Sequence, residues 1–261
     1  MTDTGDQVMS MPATSVERSD FPDSENFKTT HWSLVLAAGD RDAREWREAM
    51  SVLCTTYWLP LYAFVRRQGY SAEQAEDLTQ EFFVRLMEKD FLRSVDRAKG
   101  LFRSYLLACL QHFLSNARDQ QLAQKRGGGR NGVSLDFRTA EKSYRLEPRD
   151  NRTAERVFER QWALAILLHV LDRLQEEWTT TGREVHFKAL KVFLTGEDHP
   201  ATYNEIAQQL GSSVPAMKVA VHRMRRRFRE LLREEIGRGV TEPAEIDEEI
   251  RRLFAAVRYI P

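Results

Sequence analysis

Cysteine is scarce in this 261-residue chain: Cys54 and Cys109 are its only two. They sit in the apolar contexts SVLCTTYW and LLACLQ, with no CxxC pair and no Cys/His cluster. That excludes a disulfide scaffold and a cysteine zinc site, and two free buried thiols in a reducing compartment are expected. No apolar run approaches the ~18 residues of a membrane span. No basic segment followed by an apolar one opens the chain. The expectation is a cytoplasmic protein with no membrane partner. Net charge is also missing, since Lys+Arg and Asp+Glu both number 39. A uniformly cationic surface is thereby excluded, but a local basic patch offset by acids elsewhere is not.

Catalytic signatures are absent as well. The six histidines at 31, 112, 169, 186, 199 and 222 are scattered, with no HExxH and no GxSxG. The run KRGGGR at 125–130 places its Lys before the glycines and does not match GxxxxGK[ST]. The acidic cluster Glu73, Glu76, Asp77 and Glu81 shares a helix with no His at ligand spacing, and no Glu-x-x-His pair occurs elsewhere. No catalytic residue, metal or cofactor is expected, and the chain reads as a non-enzyme.

What the sequence does contain is helical periodicity, with no useful β-alternation. Residues 1–28 are polar and rich in Ser, Thr, Asp and Pro, and read as a disordered leader. Helices are expected over His31–Ala38, Arg41–Val52, Tyr57–Gln68, Ala72–Glu88 and Phe102–Gln124, with a short one in Asp90–Lys99. Gly127-Gly128-Gly129 then breaks the pattern, and 127–152 reads as a flexible linker with a short docked segment at Val133–Phe137. Periodicity resumes behind the capping residue Thr153 and runs to about Trp178. A helix over Arg183–Leu194 follows, and one more lies within 243–258. The fold class is all-α, in two helical domains at 29–126 and 153–237, with a C-terminal helical extension over 238–261.

The most informative stretch is TYNEIAQQLGSSVPAMKVAVHRMRRRFR at 202–229. Tyr203, Ile206, Ala207 and Leu210 share one face of a short helix. Gly211 can take the left-handed conformation that ends it. Ser212 or Ser213 supplies an N-cap, and Pro215 fits the first turn of a second helix. Met217, Val221, Met224 and Phe228 form the apolar stripe of that helix. Its other faces carry Lys218, His222, Arg223, Arg225, Arg226, Arg227 and Arg229, with no acid between Ser212 and Arg229. A solvated face ordinarily mixes signs. This one does not, and the capped turn points to a helix-turn-helix with a DNA-facing second helix.

A second mixture, FRSYLLACLQHFLSNAR at 102–118, interleaves aromatics with Arg103, Gln111, His112, Asn116 and Arg118. Aromatic faces and cations together suit unpaired bases and phosphates. Tyr105 and Phe113 read equally as core. The face with Asp77, Gln80, Glu81 and Arg85, beside Phe82 and Phe83, reads either as solvated or as a protein-binding surface.

The order of these parts resembles bacterial RNA polymerase sigma factors of the extracytoplasmic-function type, in the style of the group abundant in planctomycetes. The resemblance rests on AEDLTQEFFVRL, on FRSYLLACLQHFLSNARD, on a Gly-rich linker and on the helix-turn-helix ending VAVHRMRRRFRELLREE. It covers about residues 29–236. It implies that Asp77, Gln80, Glu81 and Arg85 bind the clamp coiled coil of core RNA polymerase. It implies a −10 promoter role for Arg103, His112, Asn116 and Arg118. It implies −35 recognition by Pro215, Ala216, Lys218, Val219, His222, Arg223 and Arg226. Core polymerase and promoter DNA are the implied partners, and an anti-sigma factor stays open. The other reading is a stand-alone helix-turn-helix regulator with an N-terminal sensing or dimerisation bundle.

Overall fold

A computed structural model describes residues 32–40, 44–88, 92, 95–96, 98, 100–123, 141–142, 144–145, 152–195, 202–240 and 242–258. Among the described residues every regular element is helical. The first half holds α1 (Trp32–Gly39), α2 (Trp46–Arg67), α3 (Ala72–Glu88) and α4 (Phe102–Ala123). The second holds α5 (Ala154–Thr180), α6 (Glu184–Leu190), α7 (Val192–Thr195), α8 (Tyr203–Gln209), α9 (Val214–Gly237) and α10 (Ile246–Val257).

Helix α3 spans the residues its periodicity predicts. Helix α2 does not follow prediction: the two helices expected at 41–52 and 57–68 are one continuous rod. Pro60 lies inside it, where a missing N–H and a ring clash cost about 3 kcal/mol. Burial explains the survival of the rod. Tyr57, Trp58, Leu59, Leu61 and Tyr62 are all at most 2% exposed, and each large apolar side chain removed from water returns about 1.5–3 kcal/mol. On α5, Thr153 caps the helix as expected, its Oγ1 accepting from the Arg156 N–H. The single helix expected over 183–194 is instead α6 followed by the short α7.

Helix α5 organises the molecule. Residues 161–167, QWALAIL, are all buried. A helix apolar on one stripe packs on one neighbour, whereas one buried all round needs neighbours on every side. Helix α2 lies along one side of α5, while α9 and α10 cover others. The apolar cores of the two halves therefore merge along α2 and α5 into one cluster.

The leader, the Gly-rich segment, Val133–Phe137 and most of Asp90–Lys99 lie outside the described residues. Within the expected linker, Glu141 is docked on α2. It accepts from the Tyr62 hydroxyl at 2.7 Å and from both Nε and Nη2 of Arg66, at 2.9 and 3.0 Å. Burial alone would raise the Glu141 carboxyl, but donors from Arg66, Tyr62 and Arg145 outweigh it and hold the group below its usual range.

Candidate nucleic-acid interface

Local sequence builds the helix-turn-helix. Thr202 and Glu205 close a capping box at the start of α8: Thr202 Oγ1 accepts from the Glu205 N–H at 3.3 Å, and Glu205 Oε2 from the Thr202 N–H at 2.6 Å. Gly211 turns the chain at φ 59°, open to glycine without penalty. Ser213, one of the two caps expected, accepts from the Ala216 N–H at 3.3 Å and starts α9, with Pro215 in its first turn.

On α9, Met217, Val221, Met224 and Phe228 are buried, as the stripe predicts. Pro215, Ala216, Lys218, Val219, His222, Arg223 and Arg226 are exposed together on the opposite side. Val219 is 50% exposed, an unusual place for a β-branched apolar side chain. Lys218 Nζ sits 5.9 Å from the centroid of the Tyr203 ring, which itself stacks on Phe193 at 4.4 Å.

The arginine run divides in a way its sequence does not show. Arg225 donates twice to the Phe193 carbonyl, at 3.3 and 3.0 Å, and ties α9 to α7. Arg227 grips Glu177 of α5 with Nε and Nη2, at 2.9 and 2.7 Å. The Arg227 bonds hold the Glu177 carboxyl below its usual range, and those same bonds raise the guanidinium. Among the described residues Arg226 pairs with Glu230, one turn along on the exposed surface, at 2.9 Å. Arg225 and Arg227 are thus scaffold, and Arg223 and Arg226 face outward.

In the first half, His112 and Asn116 are exposed on α4 and lie 3.2 Å apart, Nδ1 to Nδ2. They rim a cavity of 360 Å³ between α3 and α4, walled by Phe82, Tyr105 and Phe113 and reached by Arg85. The Arg85 guanidinium lies 4.8 Å over the Phe113 ring and 2.6 Å from Glu81. Arg85, assigned with the acidic face, therefore meets the α4 candidates as well. Asp77 is exposed beside the half-buried Gln80 and Glu81 on α3. Arg118 is exposed, donating to the Tyr70 hydroxyl at 2.8 Å with its guanidinium over that ring.

Arg103 requires a correction of place. Rather than facing solvent with His112, it is 7% exposed at the junction of the two halves. It pairs with Glu159 of α5 at 3.0 Å and Glu249 of α10 at 2.5 Å, and lies 4.1 Å over the Trp162 ring. Burial alone would lower its pKa, but the two carboxylates more than offset that and hold it raised. No periodicity or motif in the sequence connects position 103 with 159, 162 and 249, so these partners are invisible there. Cys54 is a free, buried thiol whose desolvation pushes it up to about 12, and Cys109 is free and half-buried at the cavity.

Residues 29–234 match the ECF sigma factor family. The chain belongs to that family. No curated protein and no solved structure matches it. As an ECF sigma factor it directs promoter-specific transcription initiation with core RNA polymerase, a regulatory task in which the polymerase performs the chemistry. Among the described residues no His, Cys, Asp and Glu group could hold a metal ion, and no helix is long and apolar enough to cross a membrane.

Proposed function

We propose a division of labour between the two helical domains, with boundaries near 29–126 and 153–237. The N-terminal half of α9 enters the major groove at the −35 element. Lys218, His222 and Arg223 address base edges, Pro215, Ala216 and Val219 make the apolar contacts, and Arg226 leans to phosphate. The observation that carries this reading is the segregated face of α9, cationic and outward, above a buried apolar stripe. In the first half, His112, Asn116 and Arg118 serve the −10 element. The cavity between α3 and α4 offers aromatic walls and a polar rim, the chemistry that holds an unstacked base. Asp77, Gln80 and Glu81, joined by Arg85, form the polymerase-binding face.

Affinities of Lys218→Ala, Arg223→Ala and Arg226→Ala for promoter and scrambled duplexes across a salt series test the assignment on α9. Loss of sequence preference in the first two and a flatter salt slope in the third support it. Equal weakening of both duplexes by all three would make the helix a phosphate clamp and move promoter choice elsewhere.

A further inference from the structure

Lys218 lies near the start of α9, seven residues before Arg225. That spacing is close to two full turns, so both side chains leave the same side of the helix. Among the described residues no carboxylate pairs with Lys218, whose Nζ stands 5.9 Å from the centroid of the Tyr203 ring. Attraction between an ammonium and an aromatic face reaches that far, and at an exposed site it favours the paired arrangement about two- to fivefold.

The ring beneath Lys218 is held from three directions. Tyr203 is the first residue of α8, and the Thr202–Glu205 capping box fixes the backbone there. Its ring lies 4.4 Å from that of Phe193, with 9° between the planes. Both rings are half-buried and pack against the core. The Phe193 carbonyl in turn accepts both bonds from Arg225. These contacts form a circuit that leaves α9 at Arg225, passes through α7 and α8, and returns to α9 at Lys218. A lysine that reads a base is a hydrated charge on a flexible stem, and it loses rotamer freedom when it docks. A fixed ring that already confines the side chain removes part of that cost before DNA arrives.

We propose that Tyr203, backed by Phe193, is a positioning residue for promoter recognition. Its ring aims Lys218 at the base edge that Lys218 reads, so part of the sequence preference is set outside the recognition helix. This rests on the −35 role of Lys218 proposed above. The effect needs the aromatic ring and not the phenol hydroxyl. Arg225, which faces away from the reading surface, serves it by holding the Phe193 backbone.

The test uses the full chain with core polymerase and a duplex pool randomised across the −35 element, with bound duplexes sequenced. Lys218→Ala removes discrimination at one base position. Tyr203→Leu keeps apolar bulk at a half-buried site, and it lowers discrimination at that same position about two- to fivefold. Tyr203→Phe keeps the ring and the preference. In a Lys218→Ala background Tyr203→Leu has no further effect there, because the pair acts as one unit. Melting curves confirm that each variant is folded at the assay temperature. In the full chain alone, the Lys218 ε-methylene protons resonate upfield through the ring current of Tyr203, and this shift disappears in Tyr203→Leu but not in Tyr203→Phe. Additive losses in the double variant, or a Tyr203→Phe that fails as Tyr203→Leu does, overturn the positioning role and leave Lys218 a reader. An ε-methylene signal at its ordinary place in the parent overturns it without any variant. If Lys218→Ala leaves the parent's preference unaltered, the base-reading assignment falls, and the positioning role falls with it.

Discussion

Helices α4 and α9 carry the same kinds of side chain, and their sequences suit the same kind of ligand, yet the fold treats them oppositely. On α9 the candidate residues are displayed together on one exposed face, with the neighbouring arginines Arg225 and Arg227 tied to the scaffold. On α4 His112, Asn116 and Arg118 are displayed, and Arg103 at its start is sealed between Trp162, Glu159 and Glu249. A cation in a motif can thus be displayed to solvent or tied into the scaffold. What decides is whether a distant carboxylate, carbonyl or ring is waiting for it.

The largest effect expected from breaking the comparison lies on the face next to α4. Changing Asp77 and Glu81 together to Lys puts like charge where a cationic partner surface should dock. Affinity for core polymerase is expected to fall on the order of 100-fold or more, since like-charge juxtaposition costs several kcal/mol. Helical content should not change, because Asp77 is exposed and Glu81 only half-buried. Unaltered capture of the double variant in a pull-down removes this face from the polymerase interface.

Two arginines four residues apart sharpen the contrast within α9. Arg223→Ala should cost about 1–3 kcal/mol of promoter preference at one base position and leave thermal stability alone. Arg227→Ala should do the reverse. It leaves Glu177 without its two charge-assisted bonds, and for a pair more than a third exposed the stability loss is about 0.5–1 kcal/mol. Binding and melting curves on both proteins decide between reader and brace. Arg226→Ala should flatten the salt dependence by about one unit of slope without changing preference.

The turn between α8 and α9 should respond next. A Cβ at Gly211 meets nothing within 4 Å, so Gly211→Ala suffers only from its positive φ, about 1 kcal/mol. Thr202→Ala, which opens the capping box, should cost about as much. Chemical denaturation of both variants checks these values.

The smallest effect is acid dependence. Glu177 and Glu141 are both held below the usual carboxylate range by their arginine partners. A depressed folded pKa contributes stability above the unfolded value, about 4.3, and loses it as pH falls through the folded value. Between pH 7 and pH 5 stability should therefore be flat on account of these groups, and fall below about pH 4. Glu177→Gln should shallow that acid limb and leave the neutral plateau flat.

Legibility in the sequence tracked the range of the interactions. The turn at Gly211, a cap at Ser212 or Ser213 and the stripe of Met217, Val221, Met224 and Phe228 all depend on residues within four positions of one another, and all were readable; the capping box at Thr202 and Glu205, equally local, is added by the structure. The bounds of α3 and the Thr153 cap follow the same rule. The break expected between Val52 and Tyr57 does not form, because the helix across it is held by tertiary burial that no propensity records. The fates of Arg103, Arg225 and Arg227 depend on partners 32 to 146 positions away. Composition could mark those residues as cations but not say which would face water. The docking of Glu141 on Tyr62 and Arg66, 79 and 75 positions back, was hidden for the same reason.

Run-off transcription tests the central claim most directly: purified chain, core polymerase and a library of genomic fragments, with transcript 5′ ends mapped. The account predicts discrete starts that require the chain, share two upstream motifs, and lose the upstream preference in Arg223→Ala. Transcription no different from core polymerase alone, beside sequence-specific DNA binding by the free chain, would contradict it and leave a stand-alone helix-turn-helix regulator.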